Sequence, residues 1–173
     1  RSEDRALQYG HRAAIVLFTG SAQTGKTFLA RRVEALLVAD SRHAYLLEGE
    51  NLLQGLDADL SAADPSFASE RVRRYGEVAR LLIDTGLIVV STSKTFGINY
   101  QRMAEMIRTL VQPAPVIAVH MSRAGEEPPP NTDLHFAGPQ DFDAAARQIL
   151  EELKKRGVLI QPSGTKSSIQ YSI

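Results

Sequence analysis

Ile15-Val16-Leu17-Phe18-Thr19-Gly20-Ser21-Ala22-Gln23-Thr24-Gly25-Lys26-Thr27 decides how this chain of 173 residues folds. The apolar run Ile15–Phe18 reads as a buried strand, and Gly20 to Thr27 satisfies the phosphate-loop pattern G-x-x-x-x-G-K-[ST] at every defined position. Glycines at both ends let the backbone curl so that successive N–H groups turn inward on phosphate oxygens. A helix opening near Lys26 aims the positive end of its dipole at the same anion. Gly20, Ser21, Ala22, Gln23, Thr24, Gly25, Lys26 and Thr27 are therefore the expected nucleotide-phosphate site. Lys26 is placed to reach the β- and γ-phosphates, and Thr27 offers its hydroxyl to Mg²⁺, a hard cation that takes oxygen ligands. ATP and Mg²⁺ are the cofactors this implies.

Outward from the loop, strands and helices alternate. Ala13–Phe18 has the unbroken apolar character of a strand covered on both faces, and Phe28, Leu29, Val33, Leu36 and Leu37 follow at helical spacing as far as Asp40. Ala44–Leu47 is a second strand, and Asn51–Gln54 a helical turn. Leu56–Pro65 is a polar connection, and a helix runs from Ser69 to Gly86 with Val72, Tyr75, Val78, Ala79, Leu82 and Ile83 on one face. Gly76 inside that helix costs about 1 kcal/mol relative to Ala, so close packing is expected around it. Leu87–Val90 is a third strand, Asn99–Leu110 a helix with Tyr100, Met103, Met106 and Ile107 turned inward, and Pro115–His120 a fourth strand. Residues 122–140, with prolines at 128–130, read as a loop. Asp141 caps a last helix that buries Phe142, Ala145, Ile149, Leu150 and Leu153, and Val158–Ile160 follows as an edge strand. This order predicts an α/β chain of the P-loop NTPase fold: a mainly parallel sheet with helices on both faces, of the small-molecule kinase type. Residues 1–160 form one domain in this reading, and 161–173 a polar tail.

Composition narrows the function. With 20 Lys+Arg against 20 Asp+Glu the net charge is zero, which gives no electrostatic case for nucleic acid or an anionic membrane as partner. The absence of cysteine excludes disulfides, thiolate metal sites and a cysteine nucleophile. No apolar run approaches the roughly 18 residues of a membrane span, and Arg-Ser-Glu-Asp-Arg at the start does not resemble a signal peptide, so a cytoplasmic protein is expected.

The second strand runs into Glu48-Gly49-Glu50-Asn51, which places two carboxylates at the carboxyl end of a strand, where open α/β sheets hold their chemistry. The third strand ends in Ser91-Thr92-Ser93-Lys94, without the Asp that commonly closes the metal-binding strand of such folds. Glu48 or Glu50 is then the available acidic partner for Mg²⁺. Glu48 is the expected catalytic carboxylate beside Lys26, with Thr27 and Glu48 at the metal. Arg71, Arg73 and Arg74 form a basic set on the long helix. Lys94 and Arg102 are further candidate anion contacts. The four histidines show no metal-ligand spacing, and His43 and His120 are expected to satisfy local hydrogen bonds at strand ends.

With these segments in place the chain resembles the adenylyl-sulfate kinase family, which phosphorylates the 3′-hydroxyl of adenylyl sulfate in sulfate assimilation. The family's Leu-Asp-Gly-Asp-Asn is matched by Leu47-Glu48-Gly49-Glu50-Asn51, and its Ile-Arg-Arg-Ile-Gly-Glu-Val-Ala by Val72-Arg73-Arg74-Tyr75-Gly76-Glu77-Val78-Ala79. Its Gly-Leu-Val-Val is matched by Gly86-Leu87-Ile88-Val89-Val90, and Tyr9-Gly10-His11-Arg12-Ala13 is similar to its lead-in. The resemblance implies an ATP-dependent phosphotransferase with Glu50, Asn51, Arg71 and Arg74 at the substrate. It also implies adenylyl sulfate as a partner, and a homodimer or fusion to a sulfurylase-type domain.

The departures lie on the acceptor side. Two family aspartates are Glu48 and Glu50. The longer side chain moves each carboxylate by roughly 1.5 Å, and misplacement by about 1 Å can cost on the order of a hundredfold in rate. Leu53, Ala62 and Ala68 stand where the family has a binding Arg, a stacking Phe and an Arg. Arg71 replaces an Asn, and Lys94-Thr95-Phe96-Gly97-Ile98 replaces Ile-Ser-Pro-Phe-Arg. Ser122-Arg123-Ala124-Gly125 stands in place of a closing lid. These changes predict impaired phosphorylation of adenylyl sulfate. Two other readings stay open: a non-catalytic nucleotide-binding or regulatory domain of a larger sulfate-activation protein, and a kinase for a different small hydroxyl acceptor.

Overall fold

The computed structural model describes residues 2–93, 99–138 and 140–160. Five strands, β1 (Ala14–Gly20), β2 (Ala44–Glu48), β3 (Ile88–Thr92), β4 (Val116–Ser122) and β5 (Leu134–Ala137), form one sheet in the order β2-β3-β1-β4-β5. Every pairing is parallel. The helices are α1 (Ser2–Tyr9), α2 (Lys26–Ala39), α3 (Phe67–Asp84), α4 (Tyr100–Val111) and α5 (Phe142–Lys155), with a short 3₁₀ turn at Gly49–Leu52. Parallel neighbours need crossovers: α2, α3 and α4 supply those from β1 to β4, whereas β4 reaches β5 through residues 123–133 without a helix.

The pleat of the central strands explains the two layers. Ala14, Val16 and Phe18 point to one side and pack with Leu29, Val33 and Leu37 of α2 and Ala146, Ile149 and Leu153 of α5. Ile15 and Leu17 point to the other side, against Val72, Tyr75 and Ala79 of α3 and Met103 and Ile107 of α4. Both faces are covered, which is why all seven residues of β1 are buried. Gly76 lies where α3 meets α4, and a Cβ built there would stand 2.4 Å from Leu110 Cδ1, so the expected close packing is present. No helix among the described residues is long and apolar enough to cross a membrane.

Two expectations need correction. The segment 122–140 is not all loop, because it holds β5, which pairs with β4 from Val119↔Leu134 to Ser122↔Ala137. Val158–Ile160 does not add a strand, and only an isolated antiparallel bridge joins Leu159 to His11. β5 leaves no strand signal in the sequence because it is a four-residue edge strand with only Phe136 buried, so it lacks the continuous apolar run of an inner strand. Asp141 does cap α5, accepting from Asp143 N and Ala144 N, and Asn99 caps α4 through Arg102 N. The tail 161–173 and the segment 94–98 with Lys94 lie outside the described residues.

Candidate active site

The phosphate loop sits at the carboxyl end of the middle strand. Gly20 leaves the sheet at φ 127°, and a Cβ there would lie 1.8 Å from Met121 O, so the turn admits no side chain. Gly25 is left-handed at φ 86° and lies under the Phe142 ring, while Gln23 also takes a positive φ of 61°. Ser21 N donates to Met121 O (3.0 Å) and Thr24 Oγ1 to Ser21 O (2.9 Å), which fixes the curl. No side chain caps α2. Its first amides are thus presented at the loop, as an anion requires. Lys26 Nζ donates to Gly20 O at 2.9 Å and to Ser21 O, folding its ammonium over the loop.

Beside the loop lies a cavity of about 710 Å³ that collects the predicted chemistry. Lys26 and Thr27 line one side, and Glu48, Glu50 and Asn51 another, with Thr92, Ser93 and Tyr100 completing it. Glu48 is the last residue of β2, and its Oε1 lies 3.2 Å from Arg31 Nη2. Behind it the buried Tyr75 hydroxyl lies within hydrogen-bonding distance of Leu47 O (2.9 Å) and Thr92 O (3.2 Å), to which its one proton can be donated, and meets Ser91 Oγ, tying α3 to the ends of β2 and β3. Burial raises the Tyr75 pKa, and the Glu50 and Glu48 carboxylates add to the rise, so it stays a neutral strut. Thr92 Oγ1 is buried without a hydrogen-bond partner, at the strand end where the sequence lacks a metal-binding Asp. Thr27, Glu48 and Thr92 all line this cavity, and their side-chain oxygens are the hard donors that Mg²⁺ takes. Among the described residues no group of three or more His, Cys, Asp and Glu side chains comes together as a metal site.

Arg71 and Arg74 are not brought to the cavity wall. Arg71 is buried with its Nε 3.3 Å from Asp57 Oδ2 and its guanidinium over the Phe67 ring. Arg74 clasps both Asp59 oxygens (2.5 and 2.9 Å) and Glu70 Oε1 (2.9 Å). The Arg73 and Arg74 guanidiniums together draw the Glu70 carboxyl down to about 2. Both predicted substrate arginines thus hold the polar connection after β2. Arg102 is exposed and lines a separate shallow depression beside Arg73.

The short connection between β4 and β5 contributes contacts with no sequence signal. Glu126 Oε2 accepts from Ser21 Oγ (2.6 Å) and Arg123 N (3.1 Å), and these two donors, Ser21 first, hold its carboxyl below the usual range. His120 Nδ1 lies 2.9 Å from Thr19 Oγ1, the expected strand-end hydrogen bond. Burial, then the nearby His135 and Lys26, push the His120 imidazole toward its neutral form. Tyr100 was expected in the core. Instead it borders the cavity and donates its hydroxyl to Gly20 O at 2.7 Å.

A phosphate loop on the central strand of a five-stranded parallel sheet, facing carboxylates at the end of β2, defines a P-loop kinase. The adenylylsulphate kinase family profile matches residues 12–128, and the chain belongs to that family of phosphotransferases. It is 30% identical to the adenylyl-sulfate kinase of Yersinia pestis, over 91% of this chain and 85% of that one. The adenylyl-sulfate kinase of Shewanella amazonensis is 40% identical over 69% of this chain, which spans 58% of that relative's length. Among solved structures, the Cys556Ala mutant of the Mycobacterium tuberculosis APS kinase superposes with a TM-score of 0.71 at 28% identity, covering 83% of this chain and 99% of that one. A hexameric APS kinase from Thiobacillus denitrificans shares the fold at a TM-score of 0.70 and 23% identity, covering 92% of this chain and 33% of that one.

Proposed function

We propose that residues 1–160 act as one kinase domain that transfers the γ-phosphoryl group of Mg·ATP to a small hydroxyl acceptor. Adenylyl sulfate is the acceptor the family implies, turned over at a reduced rate. The observation that carries this reading is that the phosphate loop and Glu48 line the same cavity.

Lys26 leaves the Gly20 and Ser21 carbonyls to neutralise the β- and γ-phosphates, with the α2 amides supporting it. Thr27 and Glu48, with Thr92, would hold a magnesium ion, whose part would be to shield phosphate charge and fix the γ-phosphoryl group. Glu48 Oε2, the oxygen left by the Arg31 pair, also accepts the proton of the acceptor hydroxyl as the hydroxyl oxygen bonds to the γ-phosphorus and ADP departs. Glu50 and Asn51 orient the acceptor. Arg71 and Arg74 act indirectly, by fixing the connection that borders it. Reduced turnover follows from the added methylene at Glu48 and from the connection 123–133, which carries no helix to exclude water.

The test is calorimetric titration with a non-hydrolysable Mg·ATP analogue, then with adenylyl sulfate in the presence of Mg·ADP, followed by a phosphotransfer assay. Lys26→Ala is expected to lower phosphotransfer by at least about a hundredfold. Nucleotide binding without binding or phosphorylation of adenylyl sulfate would transfer the assignment to another acceptor. Binding of both ligands without transfer would leave a regulatory domain.

A further inference from the structure

We infer that Phe28 and Phe142 form an aromatic shelf for the nucleoside end of the nucleotide, so that Phe28 sets affinity for the base and not for the phosphates. The inference rests on the nucleotide binding proposed above. Helical spacing sorts the first turns of α2 into two faces. Thr27 and Arg31, four apart, share the face that reaches β2, where Arg31 Nη2 meets Glu48 Oε1 at 3.2 Å. Phe28 and Arg32, also four apart, share the neighbouring face toward α5, where Arg32 Nε meets Asp143 Oδ1 at 2.6 Å. A nucleotide whose γ-phosphate lies between Lys26 and Glu48 therefore has its nucleoside on the α5 side.

Two rings wait on that side. Phe28 lines the cavity and is 61% exposed. Its centroid lies 4.9 Å from that of Phe142, with the planes 56° apart. Phe142 is the first residue of α5 and is seated on the loop itself, because a Cβ on Gly25 would stand 2.6 Å from its Cζ. An exposed phenylalanine alone means little. This one directly follows the Gly-Lys-Thr of a phosphate loop and is braced by a second ring that cannot withdraw without uncovering Gly25. A planar base has a π-face that such a ring can stack on, whatever its hydrogen-bonding edge.

The experiment titrates the full chain with Mg·ATP and, separately, with Mg·tripolyphosphate, which has the phosphates and no base. For Phe28→Ala we expect Mg·ATP to bind about tenfold more weakly while Mg·tripolyphosphate binds as it does to the parent. Phe28→Tyr should restore ATP affinity, and Phe28→Leu, which keeps apolar bulk against Phe142 without a π-face, should not. Equal loss for both ligands would show that Phe28 only supports the loop, and ATP affinity within twofold of the parent would show that the base does not touch it. Either result overturns the shelf while leaving nucleotide binding intact. If neither ligand binds the parent chain, the underlying nucleotide reading fails with it.

Discussion

Ser21 and Lys26 show how much of the phosphate loop is occupied by its own protein. The Lys26 ammonium rests on loop carbonyls, and Ser21 donates to Glu126, which brings a carboxylate to the mouth of an anion site. Glu126→Ala should remove that charge and raise nucleotide affinity severalfold at low ionic strength, an effect that added salt diminishes; titration at two salt concentrations checks both. Two buried imidazoles make a second prediction. Burial is the first cause that lowers the pKa of both His11 and His120. The unfolded chain then binds more protons than the native one below about pH 6.5, so stability is full above that value and falls as the pH drops through it. Thermal unfolding between pH 8 and 5 should show the decline, and His120→Asn should flatten it.

At the scale of elements, α3 is the member to test. Its glycine faces the Leu110 and Ile107 side chains of α4. Gly76→Leu should cost about 2–3 kcal/mol by overpacking. Gly76→Ala should cost less, since the Leu110 tip can rotate and an alanine contributes about 1 kcal/mol of helix propensity. Under the same helix, Arg71 and Asp57 are both nearly inaccessible, and Asp57 Oδ1 has no hydrogen-bond partner. Asp57→Ala should destabilise by about 3–5 kcal/mol, and the pair Asp57→Leu with Arg71→Met should recover most of it, measured by denaturant midpoints. The inner strands and their helices were legible because burial on two faces leaves an unbroken apolar run or a clear helical stripe. β5 was not, since a short edge strand leaves neither trace. Tyr100 was misplaced for a related reason: helical spacing gave its face correctly, but that face runs past the core to the cavity rim.

For the molecule as a whole, the loop, the two carboxylates and their common end of the sheet were readable, because strand order and the loop motif together dictate where they fall. Partners brought together by tertiary folding were not. Ser21 and Glu126 are 105 residues apart, and Arg71 looked like a ligand contact until the connection after β2 supplied Asp57. Thr92 carries no sequence signal, because its hydroxyl is left unpaired only by the strands and helix packed around it. Binding should report on the entire fold: Mg·ATP at a hundred times its Kd should stabilise the chain by about 2.7 kcal/mol, seen as a rise in Tm, and Lys26→Ala should abolish the rise.

The strand order also bears on how the chain comes off the ribosome. β1 pairs with β3 and β4 but not with β2, so its backbone groups find their first partner only when Ile88–Thr92 has been made, and their second with Val116–Ser122. At roughly 5–20 residues per second, the most apolar strand waits several seconds with both edges open. The turn at Gly20 is braced by Met121, which arrives later still. The pocket that nucleotide would fill is therefore complete only after Met121 has been made, so nucleotide can stabilise the finished fold but not the early nascent chain.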